Sequence, residues 1–165
     1  MLRTVQERNV DVVLASEQYR NIQHRWHAGA ESRCAVYVPS TRLREAAVGT
    51  ADSGSFAWVE LGGIRLYSCY YSPNSPIDTF AADLSKLADD ISTSNLPVVV
   101  AGDFNAKAPE WGSALTDRRG SLLAEMASQL HLHAANRGSA FTFRRGDTGS
   151  VIDVTFTSAS IAHRV

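Results

Sequence analysis

The chain has 165 residues, 44% hydrophobic and 20% charged, with 16 basic against 17 acidic side chains. This composition excludes a disordered or low-complexity chain, and a domain of this length removes roughly 70% of its unfolded surface from water, enough for a core without disulfides or a structural metal. The net charge of -1 supplies no general field for a polyanion, and the two cysteines, Cys34 and Cys69, form no C-x-x-C pattern, which argues against a disulfide framework or a zinc site.

The opening MLRTVQERNVDVV reads as helix-like and lacks the apolar block and cleavage site of a signal peptide. No stretch approaches the ~18 apolar residues of a membrane helix, so the expectation is a nuclear or cytoplasmic protein with no membrane partner. Val12, Val13, Leu14 and Ala15 form a short apolar run between Asp11 and Glu17, which predicts a buried strand with a polar end. Cys34 to Val38 predicts a second strand, stopped by Pro39. Phe56 to Leu61 and Ile64 to Tyr70 are separated only by Gly62 and Gly63, the signature of a tight antiparallel hairpin.

After YYSPNS, the residues Ile77, Phe80, Leu84, Leu87 and Ile91 recur at 3, 4, 3 and 4 positions, one face of a helix. Ser75 is placed to cap it, with Pro76 at the first helical position. Pro97 opens a strand over VVVAGDFN. A second helix over about Arg119 to Leu130 should bury Leu122, Leu123, Met126 and Leu130, and strands follow over 141–144 and 151–156. Strands outnumber helices, and a hairpin is mixed with strand-helix-strand crossovers. The pattern predicts an α/β (α+β) domain of two packed mixed sheets with helices outside.

The predicted strands at 11–17, 64–71, 98–105 and 151–156 each carry an acidic, amide or tyrosine group near an end, where sheet proteins assemble sites. In Gly102-Asp103-Phe104-Asn105, Asp103 can take a proton from water and Asn105 can donate to a phosphate oxygen without adding negative charge. An Asx turn closing the strand accounts for the same tetrapeptide. Glu17 reads either as a solvated strand end or as a carboxylate meeting a cation. Tyr71 and Asn74 flank a proline bend that makes a phosphate-sized hydrogen-bonding corner, or they pack on the sheet and sit in a turn. Asp153 shares a face with Val151 and Thr155, opposite Ile152, Val154 and Phe156.

Taken in order, these motifs resemble the endonuclease/exonuclease/phosphatase superfamily, and in particular the apurinic-type endonuclease domain of non-LTR retrotransposons. LASE at 14–17 is similar to the metal-binding Glu segment, YSPN at 71–74 to the active-site Tyr corner, GDFN at 102–105 to the Asp-x-Asn motif, and SVIDVTF at 150–156 to the strand of the late Asp. GDFNAKAPEWGS, TDRRGSLLAEM and FTFRRGDTGSVIDVTF carry the retrotransposon character. The resemblance implies a four-layered sandwich and Mg²⁺-dependent (or Mn²⁺-dependent) hydrolysis of a phosphodiester in DNA. It assigns Glu17 to the metal, Asp103 to the attacking water, Asn105 and Asn74 to the phosphate, Tyr71 to the transition state, and Asp153 to orienting a histidine. A reverse transcriptase domain in the same polyprotein is the implied partner.

The sequence departs from the pattern at both ends. No Ser-Asp-His occurs, and the opening strand with its active-site Asn does not precede Met1. The expectation is therefore a single domain over 1–165, incomplete at both termini and lacking the first and last strands. His163 follows Asp153 by ten residues in a connector and is rejected as the catalytic base; His24, His27, His131 and His133 read as surface or turn residues. Two alternatives stand beside a nicking endonuclease: a catalytically impaired nucleic-acid-binding domain, and a superfamily phosphatase on small phosphoesters.

Overall fold

The computed structural model describes residues 9–17, 25–29, 32–40, 42–146 and 148–165. Its centre is a six-stranded sheet built from β4 (Ala47–Thr50), β5 (Phe56–Leu61), β6 (Ile64–Tyr70), β7 (Val98–Asp103), β11 (Asp153–Ser158) and β8 (Leu132–Ala134), in that spatial order. β6 and β7 run parallel, joined through helix α1 (Ile77–Ser92), and the other pairs are antiparallel. A three-stranded antiparallel sheet places β3 (Ala35–Tyr37) between β1 (Val13–Ala15) and β2 (Trp26–His27). A separate hairpin pairs β9 (Phe143–Arg145) with β10 (Thr148–Ser150).

Side-chain alternation explains the layering. Phe56, Tyr67, Cys69, Val98, Val100, Val154 and Phe156 form one core with Phe80, Leu84, Leu87 and Ile91 of α1, and with Leu123 and Met126 of α2 (Arg118–Gln129). Val59 and Leu61, from the other face of β5, meet Val36 and Val38 of the small sheet in a second cluster. The central strands are therefore covered on both sides, which accounts for their near-continuous apolar runs. These elements make the mixed α/β architecture of helices, large sheet and small sheet. The helix-like residues 1–8 lie outside the described residues, as does His24. Among the described residues no helix is long and apolar enough to cross a membrane.

The Gly62-Gly63 hairpin forms as expected, both glycines taking the positive φ that a two-residue loop demands. Other boundaries move. Pro76 rather than Ser75 occupies the cap position of α1, without a side-chain cap bond, because the Ser75 hydroxyl turns back to donate to the Ser72 carbonyl at 3.0 Å. Leu122 and Leu130 are only partly buried, since α2 packs on its Leu123 and Met126 side. The strand expected from 141 begins at Phe143, and the one expected from 151 begins at Asp153, after Val151 and Ile152 have entered the core as loop residues. His27 lies in β2 and meets Glu45 Oε1 at 3.2 Å, His133 lies in β8, and His163 lies in a closing 3₁₀ turn over Ala159–Arg164.

Candidate active site at the end of β7

Strand β7 ends at Asp103, and register brings two other segments to the same point. In the parallel pairing Tyr70 of β6 lies beside Asp103, and in the antiparallel pairing Asp153 of β11 lies directly opposite it. Directly paired residues point to one face with Cβ atoms roughly 4.5–5.5 Å apart, so Tyr70, Asp103 and Asp153 all project away from the helices. On that side β1 arrives. The Ser16 hydroxyl donates to the Cys69 carbonyl at 2.9 Å and accepts from the Asp103 amide at 3.2 Å, fastening the end of β1 to both strands. Glu17 follows in a left-handed conformation at φ 55°, and its Oε1 accepts from the Tyr70 hydroxyl at 3.0 Å. An unbranched residue other than glycine in that region carries local strain, a condition that collects at functional sites.

Beyond Asp103 the strand does not continue. Asn105 turns into the left-handed region at φ 47°, its backbone amide donating to Asp103 Oδ1 at 3.0 Å and its Nδ2 to the Tyr71 carbonyl at 3.1 Å. The Asx turn is thus real, and it fixes the Asp103 carboxyl while pinning Asn105 against the Tyr71 corner. Asn74 is exposed in the turn that follows, where its backbone amide donates to Ser72 Oγ at 3.4 Å.

The acidic groups crowd one another. Burial raises the Asp103 pKa to about 6; the Asn105 amide opposes the rise, and the nearby Asp153 and Glu17 carboxylates add to it. No group of three or more His, Cys, Asp or Glu residues among those described is close enough to hold a metal ion. The residues nonetheless fit a hard divalent cation of the magnesium kind, which takes oxygen ligands, keeps several waters and needs only one or two carboxylates. Like charges facing one another are what such a cation offsets.

Tyr71 lies on the other side of the sheet end. It continues β6 on the face opposite Asp103, stacks on Phe104 with ring centroids 5.3 Å apart, meets Phe80 edge-on at 5.2 Å, and is 3% exposed. Its hydroxyl reaches the Asp83 carbonyl of α1 at 3.5 Å. The phenol on the acidic side belongs to Tyr70. Tyr70 and Tyr71 both line a cleft of about 260 Å³ with Arg33, Ser55, Ser72 and Ser75, and the three clustered acids are not in its wall. Sequence reasoning passed over Tyr70 and Ser16; pairing Tyr70 with the last residue of β7 was the signal that could have found them.

Asp153 is exposed, its amide donating to Thr142 Oγ1 at 3.1 Å and its carbonyl accepting from Asn136 Nδ2 at 2.9 Å. Among the described residues no histidine hydrogen-bonds its carboxylate. The structure therefore brings together Glu17, Asp103, Asp153 and Asn105, sets Asn74 on the adjoining corner, and leaves the Tyr71 ring behind in the core.

Comparison with known proteins agrees with this architecture. The endonuclease domain of TRAS1, a telomere-specific non-LTR retrotransposon, superposes with a TM-score of 0.76 at 23% identity, covering 98% of this chain and 79% of that one. An AP endonuclease from Archaeoglobus fulgidus gives 0.74 at 13% identity, covering 99% and 82%. A 3'-5' exonuclease from Neisseria meningitidis gives 0.67 at 16% identity, covering 98% and 84%. At these identities the likeness is one of fold. No curated protein matches the sequence. Residues 64–165, more than half of the chain, match the family described as endonuclease-reverse transcriptase, and that span holds Tyr70, Asp103, Asn105 and Asp153. The chain therefore belongs to the endonuclease-reverse transcriptase family, within the endonuclease/exonuclease/phosphatase superfamily.

Proposed function

We propose that this domain is a metal-dependent DNA endonuclease of the retrotransposon type, hydrolysing a phosphodiester by attack of water. The observation that carries the reading is the convergence of Glu17, Asp103, Asp153 and Asn105 at one end of β7 from three separate stretches of chain. With its pKa at about 6, the Asp103 carboxyl is ionised at neutral pH yet basic enough to accept a proton from a water molecule. Asn105 and Asn74 carry neutral donors suited to phosphate oxygens, and Asn105 is held by two bonds before any substrate arrives, as preorganisation requires. Tyr70 orients the Glu17 carboxylate. Glu17 would hold Mg²⁺ or Mn²⁺, with water completing the shell; bound there, the cation would supply charge compensation for the phosphate and Lewis acidity.

DNA is the favoured substrate over small phosphoesters because the matched family is an endonuclease family. A reverse transcriptase domain in the same polyprotein is the proposed partner, and the proposed location is nuclear or cytoplasmic. One observation favours a second reading, binding of nucleic acid without turnover: no described histidine meets Asp153. Relaxation of supercoiled plasmid with and without Mg²⁺ separates the two. Nicking that falls by about 10² or more in a folded Asp103→Ala protein supports the endonuclease. Retention of DNA with no nicking supports the second reading, and hydrolysis of an inositol phosphate in place of plasmid supports the phosphatase. Calorimetry on wild type and Glu17→Gln tests the metal: equal Mg²⁺ affinity removes Glu17 from the site.

A further inference from the structure

The motif TDRRGSLLAEM has so far served only as a family signature, yet its second arginine reaches the active-site corner. Helix α2 begins beside the site because its cap, Asp117, accepts from the Gly120 amide at 2.7 Å and from the Lys107 amide at 3.1 Å, while the Asp117 amide donates to the Lys107 carbonyl at 3.0 Å. Gly120 closes the joint: a Cβ there would lie 2.6 Å from the Lys107 carbonyl carbon. The first turn of α2 is thus bolted to the chain two residues beyond Asn105.

From that anchored turn Arg119 crosses the Phe80 ring, its guanidinium carbon 4.7 Å from the ring centroid. Its Nη2 faces three oxygens of the neighbouring corner: the Ser75 carbonyl at 2.7 Å, the Ser72 carbonyl at 2.9 Å and Ser75 Oγ at 2.9 Å. The corner's own bonds are longer, with Ser75 N to the Ser72 carbonyl at 3.2 Å and Asn74 N to Ser72 Oγ at 3.4 Å. Arg119 Nη1 is buried and has no acceptor among the described residues, so the hydrogen bonds of this side chain go to the corner.

We propose that Arg119 is a positioning residue that braces the Ser72–Ser75 corner against α2, and so sets Asn74 relative to Asn105 and Asp103. The inference rests on the endonuclease reading for its catalytic consequence, and on geometry alone for the brace. Lysine does not reproduce it, because a point ammonium lacks the planar guanidinium face laid on Phe80.

Hydrogen exchange on the full chain tests the brace. In Arg119→Lys and Arg119→Met the Ser75 amide should exchange faster by about tenfold or more, the change expected for loss of one charged hydrogen bond, with the α2 amides unchanged. Unaltered protection at Ser75 overturns the proposal, as does equal loosening of α2. Plasmid nicking tests the consequence. Arg119→Lys should lower kcat by about tenfold with little change in KM, as misplacement of a reacting-centre group does. It should cause no further loss in an Asn74→Ala background, where a merely structural arginine would give additive losses. An Asp103→Ala protein that still nicks at the wild-type rate would defeat the endonuclease reading alone, and the exchange result would still decide the brace.

Discussion

Replacing Asp103 with asparagine removes a charge while keeping the oxygen that accepts the Asn105 amide. In the folded chain the Asp103 pKa is raised from 3.8 to about 6, first by burial and then by Asp153 and Glu17, against the pull of the Asn105 amide. A carboxyl whose folded pKa exceeds its unfolded one holds its proton more tightly in the native state. Its contribution to stability is therefore complete below about pH 4 and is lost as pH rises through about 6. At 1.36 kcal/mol per pH unit that interval sets a ceiling of about 3 kcal/mol. The carboxyl is partly open to water, and screening reduces the penalty at pH 7 to about 1–2 kcal/mol. Asp103→Asn should accordingly be more stable than wild type at pH 7, melting about 3–6 °C higher, and indistinguishable from it near pH 4. Thermal melts followed by circular dichroism from pH 4 to 8, in chelator, measure both curves. Parallel curves across that range, or a less stable variant at pH 7, would refute the account of crowded carboxylates. The same variant should lose nicking, so stability and activity move in opposite directions at one position.

Two further substitutions probe the frame around the site. Gly102→Ala would place a Cβ 2.6 Å from the Cys69 carbonyl carbon, backbone that cannot swing aside, and should destabilise the domain by about 3 kcal/mol or more in urea titration; a loss under about 1 kcal/mol would show that β6 and β7 can part at low cost. Tyr70→Phe should cost about 1–2 kcal/mol by removing the bond to Glu17, and Tyr71→Phe about 1 kcal/mol, because its buried hydroxyl meets the Asp83 carbonyl at 3.5 Å and Ser55; no loss from either in paired denaturation curves would show that these hydroxyls do not fasten the sheet end.

Much of the fold was legible because its signals were local. Gly62-Gly63 between two β-rich runs, the helical spacing of Phe80, Leu84, Leu87 and Ile91, and the apolar run into Gly102-Asp103 each state their element within a dozen residues. Strands β2, β4, β8 and β10 were not read as strands, since two to four residues such as Trp26–His27 or Ala47–Thr50 show no period and exist only through their partners. The site divides in the same way. Asp103, Asp153 and Glu17 were visible as polar ends of apolar runs, and the structure gathers them. The choice between Tyr70 and Tyr71 was not visible, because which of two adjacent residues faces the acids depends on the register of β6 against β7.

The arrangement around β7 also bears on when such a site comes into being during folding. β7 is flanked by a parallel strand that delivers its terminal residue and an antiparallel strand that delivers its first, so both arrive at one pole only when the two registers are correct. The bonds that lock β1 onto this pole join residues 53 and 87 positions apart in the chain. A one-residue slip of β11 would turn Asp153 into the helix-packed core and bring an apolar neighbour to the acids, a change that the buried Val154 and Phe156 resist. Contacts of such long separation form late, after the local hairpin and helices. A chain newly released from synthesis would thus carry every chemical group of the site and none of its geometry, and the site would form only as the domain is completed.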